Sequence, residues 1–112
     1  LLFFCVMILG FIRIILSYNL IRMGKKKKLP WDVYIIETKS GRFYTGISLD
    51  MQRRFLEHKS NRQKKAKFFR SDPPLKIIYS EQYATRSEAL KREYQIKQLS
   101  KAKKCLLVSS KL

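Results

Sequence analysis

The sequence predicts one small α+β domain, a three-stranded and mainly antiparallel sheet flanked by helices in the order β-β-α-β-α-α. Three observations predict it. A chain of 112 residues leaves room for one domain and little else. Two β-branched and aromatic runs are separated by a Ser-Gly turn, and a third follows a Pro-Pro pair. Three further segments open on side chains able to cap a helix.

Asp32 to Thr38 (DVYIIET) is the first strand, by propensity and by its short apolar run. Ser40-Gly41 supplies the turn, and Arg42 to Ile47 (RFYTGI) returns to complete a hairpin. Asp50 caps a helix over about Met51 to Ser60, with Met51, Phe55 and Leu56 expected on its buried side. Asn61 to Asp72 (NRQKKAKFFRSD) reads as a basic loop, ended by Pro73-Pro74, which cannot continue a helix. Leu75 to Tyr83 holds the apolar run LKIIY and is the third strand. Thr85 with Glu88 three residues later is a capping-box signature for a helix to about Leu99. Ser100 then caps a short last helix ending near Val108, and residues 109–112 are a tail.

Residues 1–22 differ in character from the rest. Leu1 to Ile12 is free of charge for twelve residues, short of the roughly 20 that span a bilayer. Extending the stretch through Arg13 places an arginine near its centre, at ~2.5–3.5 kcal/mol on insertion scales. A signal peptide has its basic region before the apolar one, and here the order is reversed. Two readings stay open: a membrane anchor, or translated upstream sequence ahead of a start at Met23. Residues 23–30 form a basic linker; Lys25 to Lys28 would hold the following domain in the cytoplasm under the positive-inside rule.

The charge balance narrows the function. Twenty-five Lys and Arg against 8 Asp and Glu give +17 and a pI near 10.2. From Leu29 to Leu112 there are 19 basic and 8 acidic residues, hence +11, so the domain itself suits a polyanion. Two cysteines, Cys5 and Cys105, exclude a disulfide scaffold and a cysteine zinc site, and read as buried or idle thiols in a reducing compartment. A single histidine excludes a multi-His metal centre, and no glycine-rich run precedes a Lys-Ser or Lys-Thr pair as a nucleotide P-loop requires.

Val33-Tyr34-Ile35 on the first strand, then Tyr44-Thr45-Gly46 across the hairpin, resemble the paired motifs of the GIY-YIG nuclease family. Arg54 lies eight residues beyond Gly46 and His58 four beyond that, similar to the family's Arg-x-x-x-His helix. Ser87 to Leu99 (SEALKREYQIKQL) resembles the helix carrying the family's metal-binding glutamate, which falls on Glu93. The resemblance covers Trp31 to Val108 and is closest to small stand-alone bacterial members, the excision-repair-subunit-like endonucleases. Asp32 and Val33 replace the first motif's glycine and isoleucine, Thr45 stands in the middle of the second, and Phe68 stands where those members often carry a tyrosine.

The resemblance implies a DNA endonuclease using Mg²⁺ or Mn²⁺, acting in repair, recombination or processing of structured or single-stranded DNA. Glu93 would be the metal ligand, since Mg²⁺ binds through one or two carboxylates and keeps several waters. The blander reading of Glu93 is an exposed i, i+4 pair with Lys97. Arg54 offers a permanently charged fork that matches phosphate oxygens. Tyr34 or Tyr44 can take a proton from the attacking water if a nearby cation lowers its pKa; cross-strand packing explains two tyrosines equally well. His58, titrating near neutrality, can relay that proton; a structural role for a lone histidine on a helix is the equal alternative. Gly46 allows close approach of phosphate or an unusual backbone angle.

Arg62, Lys64, Lys65, Lys67 and Arg70, with Phe68 and Phe69 interleaved, suit a nucleic-acid backbone with base stacking. So small a catalytic unit borrows its substrate specificity from an appended domain or a protein partner, and a membrane is a partner only if residues 1–22 belong to the protein. The rival expectations are a catalytically silent nucleic-acid-binding module of the same fold, and a basic protein docked on anionic lipid.

Overall fold

Strand β1 (Trp31–Thr38) lies at the centre of the sheet, between β2 (Phe43–Ser48) and β3 (Pro74–Tyr83), and pairs antiparallel with both. The structure is a computed structural model and describes residues 28–112. The predicted anchor or upstream segment, Cys5 and most of the basic linker lie outside the described residues. Three helices complete the order: α1 (Met51–Ser60), α2 (Arg86–Gln98) and α3 (Lys101–Ser109). The expected α+β architecture is the one observed, with every strand pair antiparallel.

The central position explains why β1 reads as a continuous apolar run. Val33 and Ile35 point to the face covered by Ala89 and Ile96 of α2, with Leu107 and Val108 of α3 packed beside them. Tyr34 and Ile36 point to the opposite face, under Met51 and Phe55 of α1 and under Phe69. Each fully buried isoleucine stabilises the fold by ~1.5–3 kcal/mol, so both faces of β1 anchor a layer.

The caps are those the sequence indicates. Asp50 accepts from the Arg53 N–H at 3.0 Å, Thr85 and Glu88 form a reciprocal capping box, and Ser100 accepts from the Lys103 N–H. Two expectations are corrected. Leu56 is 60% exposed, and the buried residue of α1 is His58, because α1 presents the Met51, Phe55 and His58 stripe to the sheet. Cys105 is exposed, not buried, which leaves its reading as an idle thiol; among the described residues α3 leans on the core through Leu107 and Val108.

Long-range polar contacts hold the hairpin. Gly41 takes a φ of 87° in the turn, a region that L side chains rarely adopt. Asp72, at the end of the basic loop, accepts from the hydroxyls of Thr38 at 2.7 Å and Ser40 at 2.5 Å. Hydrogen bonds from both hydroxyls, with the Ser40 N–H, hold its carboxyl below the ordinary aspartate range. On the other side, Glu81 of β3 accepts from Tyr79, Tyr83 and the Arg92 Nε of α2, tying that helix to the sheet.

Candidate active site

Antiparallel register places Tyr34 opposite Gly46 and Ile36 opposite Tyr44, so both tyrosines belong to the face that carries α1. Tyr34 is only 1% exposed. Its ring occupies the gap that Gly46 leaves: a Cβ there would stand 2.8 Å from the Tyr34 hydroxyl and 3.0 Å from Tyr44 Cε1. Of the two sequence readings of Gly46, the unusual backbone angle is corrected. Its φ is not positive, and the close approach it allows in this structure is that of the Tyr34 hydroxyl.

The Asp50 cap starts α1 so that Arg54 falls one turn in, beside the basic loop. Its Nη1 donates to Glu57 at 2.9 Å and to the Lys64 carbonyl at 2.7 Å. Glu57 also pairs with Arg53 and, at 3.7 Å, with the Lys64 ammonium. The Arg54 hydrogen bond is the main reason its carboxyl sits below the ordinary glutamate range. Sequence reasoning passed over Glu57, although its i+3 spacing from Arg54 was a legible signal.

His58 is fully buried, with its ring against Tyr44 and, at 4.7 Å, Phe69. Its Nδ1 accepts from the Ala66 N–H at 3.1 Å, which assigns the proton of the neutral ring to Nε2. Nε2 is buried without a partner. Burial first, and the Arg54 charge second, push the imidazole down to about 4. The expectation of titration near neutrality is thus corrected: His58 is neutral there.

Glu93 enters from α2, 16% exposed, with Oε1 held by Lys97 at 2.7 Å. The i, i+4 pair is present, yet the same carboxylate acts electrostatically on both Tyr34 and Tyr44. Arg54 acts on both phenols with opposite sign. Tyr34, Tyr44, Arg54 and Glu93 are therefore brought together from β1, β2, α1 and α2. Burial raises the pKa of both tyrosines; the Tyr44 charge raises Tyr34 further, while Lys97 and Arg54 oppose the rise at Tyr44. Both phenols are protonated at neutral pH, against the lowering that base chemistry requires.

Among the described residues no three Asp, Glu, His or Cys side chains cluster as a metal cage. The donor set fits a different kind of site. Glu93 presents one carboxylate oxygen that no protein donor occupies among the described residues, which suits a Mg²⁺- or Mn²⁺-like ion completed by water and phosphate.

The basic segment Asn61 to Asp72 includes a 3-10 turn, Lys67–Phe69. Arg62, Lys65 and Arg70 line one cleft of about 390 Å³. Lys64 turns to Glu57 instead, and Lys67 is exposed away from that cleft. The stacking expectation fails for Phe69, which is fully buried under the sheet. Phe68 packs on Tyr44 at 5.5 Å and carries the Arg42 guanidinium over its ring at 4.3 Å.

Residues 30–105 match the family described as the GIY-YIG catalytic domain. The chain belongs to the GIY-YIG family. Its GIY-YIG relatives include UPF0213 protein DP2720 of Desulfotalea psychrophila, 42% identical over 92 residues, covering 82% of this chain and 83% of that protein. UPF0213 protein YhbQ of Escherichia coli is 41% identical over 80 residues, 71% of this chain and 78% of that one. A solution NMR structure of UPF0213 protein BH0048 from Bacillus halodurans is 38% identical, with a TM-score of 0.48, over 73% of this chain and 85% of that one. The chain is thus a small bacterial-type GIY-YIG protein, and the GIY-YIG domain is a nuclease domain.

Proposed function

We propose that this GIY-YIG protein is an endonuclease that hydrolyses phosphodiester bonds in DNA, with one divalent cation, Mg²⁺ or Mn²⁺, held by Glu93. The observation that carries the reading is the convergence of Arg54 and Glu93, opposite charges on helices from opposite sheet faces, upon the same two phenols. Bound there, the cation would supply charge stabilisation at the phosphoryl oxygens and at the leaving 3′ oxygen.

The side chains divide the remaining work. Arg54 keeps its Nε and Nη2 donors for phosphate, because its bonds to Glu57 and Lys64 use Nη1 alone. The half-buried Tyr44 hydroxyl orients the attacking water, and Tyr34 fixes the floor of the site beneath it. Tyr44 would take the water's proton only as its phenolate, a form that Lys97 and Arg54 favour and that a bound cation would favour further, whereas Tyr34 is sealed by the fold. His58 is a positioning residue: it buttresses Tyr44 and ties α1 to the loop through Ala66. Arg62, Lys65 and Arg70 track the DNA backbone.

The nuclease unit is read as residues 31–108, with 23–30 as linker, acting in the cytoplasm and taking its specificity from a protein partner. Among the described residues no helix is long and apolar enough to cross a membrane. The Lys97 bond to Glu93 favours a second reading, a catalytically silent DNA-binding module.

Labelled single-stranded, duplex and branched DNA, incubated with the full chain and Mg²⁺, Mn²⁺ or EDTA, separates the two. Cleavage is expected with metal and not in EDTA. It should fall about 10²–10³-fold in Arg54→Ala and disappear in Glu93→Gln, which still binds DNA. Cleavage that survives EDTA or Glu93→Gln, or that is undiminished in Arg54→Ala, refutes the mechanism, and binding without cleavage under every condition selects the silent module.

A further inference from the structure

A second concave basic surface straddles the outer edge of β2, apart from the loop cleft. Arg42 and Phe43 at the start of β2, Phe68 of the 3-10 turn, and Lys101 and Lys104 of α3 enclose about 260 Å³. Three cations gathered from segments some sixty residues apart repel one another unless an anion lies between them. The protein supplies none. Of its eight carboxylates, four are in ion pairs with other cations, two are in helix caps, and two accept from uncharged side chains.

Two of the three cations are also held in place, which a merely solvated lysine face would not require. The Arg42 guanidinium lies over Phe68 at 4.3 Å, and the Lys101 ammonium lies over Phe43 at 5.3 Å while donating to the Gly41 carbonyl at 2.7 Å. Phe68, the shared wall, packs directly against Tyr44 of the candidate active site. An anion in this cleft would therefore be a close neighbour of the group that undergoes reaction.

We propose that Arg42, Lys101 and Lys104 form a second phosphate-binding cleft, which grips the nucleic-acid backbone beside the bond to be cut. The proposal rests on the nuclease reading and extends it to a surface built by the hairpin and α3. Among the described residues Glu93 and Arg54 bond to Lys97, Glu57 and Lys64 and to none of the cleft's cations, so the cleft is expected to govern binding rather than chemistry.

The test is anisotropy of a labelled single strand with the full chain in EDTA, from about 50 to about 200 mM salt. Arg42→Gln with Lys104→Gln should weaken binding and lower the slope of log K against log salt by about 1.4, two contacts at ~0.7 each. Lys91→Gln, at an exposed position of α2 outside both clefts, should leave the slope unchanged. Lys104→Glu alone, at a half-buried side chain with no ion-pair or hydrogen-bond partner among the described residues, should cost more affinity than Lys91→Glu and decides the matter if the double variant melts early. A slope no lower than that of Lys91→Gln overturns the cleft. So does lost binding to phosphatidylserine vesicles with DNA binding intact. A wild-type chain that neither binds nor cuts DNA overturns the nuclease reading and the cleft together; one that cuts, with variants that bind normally, overturns the cleft alone.

Discussion

Gly46 offers a sharp test of how the site is built, because its backbone is ordinary and its neighbours are not. A glycine-to-alanine change in extended backbone with unstrained φ normally stabilises by about 0.4–1 kcal/mol, through the unfolded chain. Gly46 has such a φ, so any net loss must come from contacts. A methyl group there would meet the Tyr34 hydroxyl at 2.8 Å, and Tyr34 Cζ and Tyr44 Cε1 at 3.0 Å. Tyr34 is sealed between β1 and α1 and cannot swing away without disturbing Ile36 and Phe69. Overpacking of this kind costs ~1–3 kcal/mol, which set against that gain leaves a net destabilisation of about 1.3 kcal/mol at the midpoints and about 2.6 kcal/mol at most. Each kcal/mol corresponds to about 4–8 °C of Tm in a domain of this size. Urea unfolding of wild type, Gly46→Ala, Tyr34→Phe and the double variant measures the effect and its source. Removing the hydroxyl takes away the 2.8 Å contact but leaves both 3.0 Å contacts, so the double variant should recover part of the loss, with a coupling of at least about 0.5 kcal/mol. An alanine variant as stable as wild type, or a double variant showing no coupling, would refute the argument.

Two further outcomes follow from the same geometry. His58 has an ordinary pKa of 6.5 when unfolded and about 4 when folded, so its stabilisation is complete above pH 6.5 and is lost as pH falls toward 4. Between about pH 5 and 6.5 the unfolded carboxylates still hold few protons, so urea unfolding there should show stability falling with pH, by up to the order of 3 kcal/mol across the whole window, and His58→Gln should flatten that dependence. Within the basic loop, Lys65→Ala should lower the salt slope for duplex DNA by about 0.9, and Lys64→Ala by clearly less, because only Lys65 lines the cleft while Lys64 faces Glu57. Equal slopes for the two variants, measured by anisotropy in EDTA, would refute that assignment.

The elements were legible because the signals that define them are local. Asp50, the Thr85–Glu88 box and Ser100 each cap a helix within three residues of themselves, and the strand runs differ from the observed strands only at their ends. The four side chains of the candidate site were legible through spaced motifs, and the fold brings them together. Helical period alone misled at Leu56, since an apolar side chain can occupy the outer face of an amphipathic helix, and the ordinary imidazole range misled at His58, which the sheet buries.

Sequence alone determined the strand and helix order, the caps, the excess of positive charge and the family to which the motifs point. Tertiary structure decided which groups carry charge and where each cation faces. Burial between β1, α1 and the basic loop raises both tyrosines and lowers His58; Glu57 takes Lys64 out of the loop's cleft; Asp72 clasps a hairpin 32 to 34 residues away. The cleft of Arg42, Lys101 and Lys104 exists only once α3 has folded back onto the hairpin. Propensity and capping act over a few residues along the chain, whereas desolvation and Coulomb energy depend on distances through space, and those are set only when the layers pack.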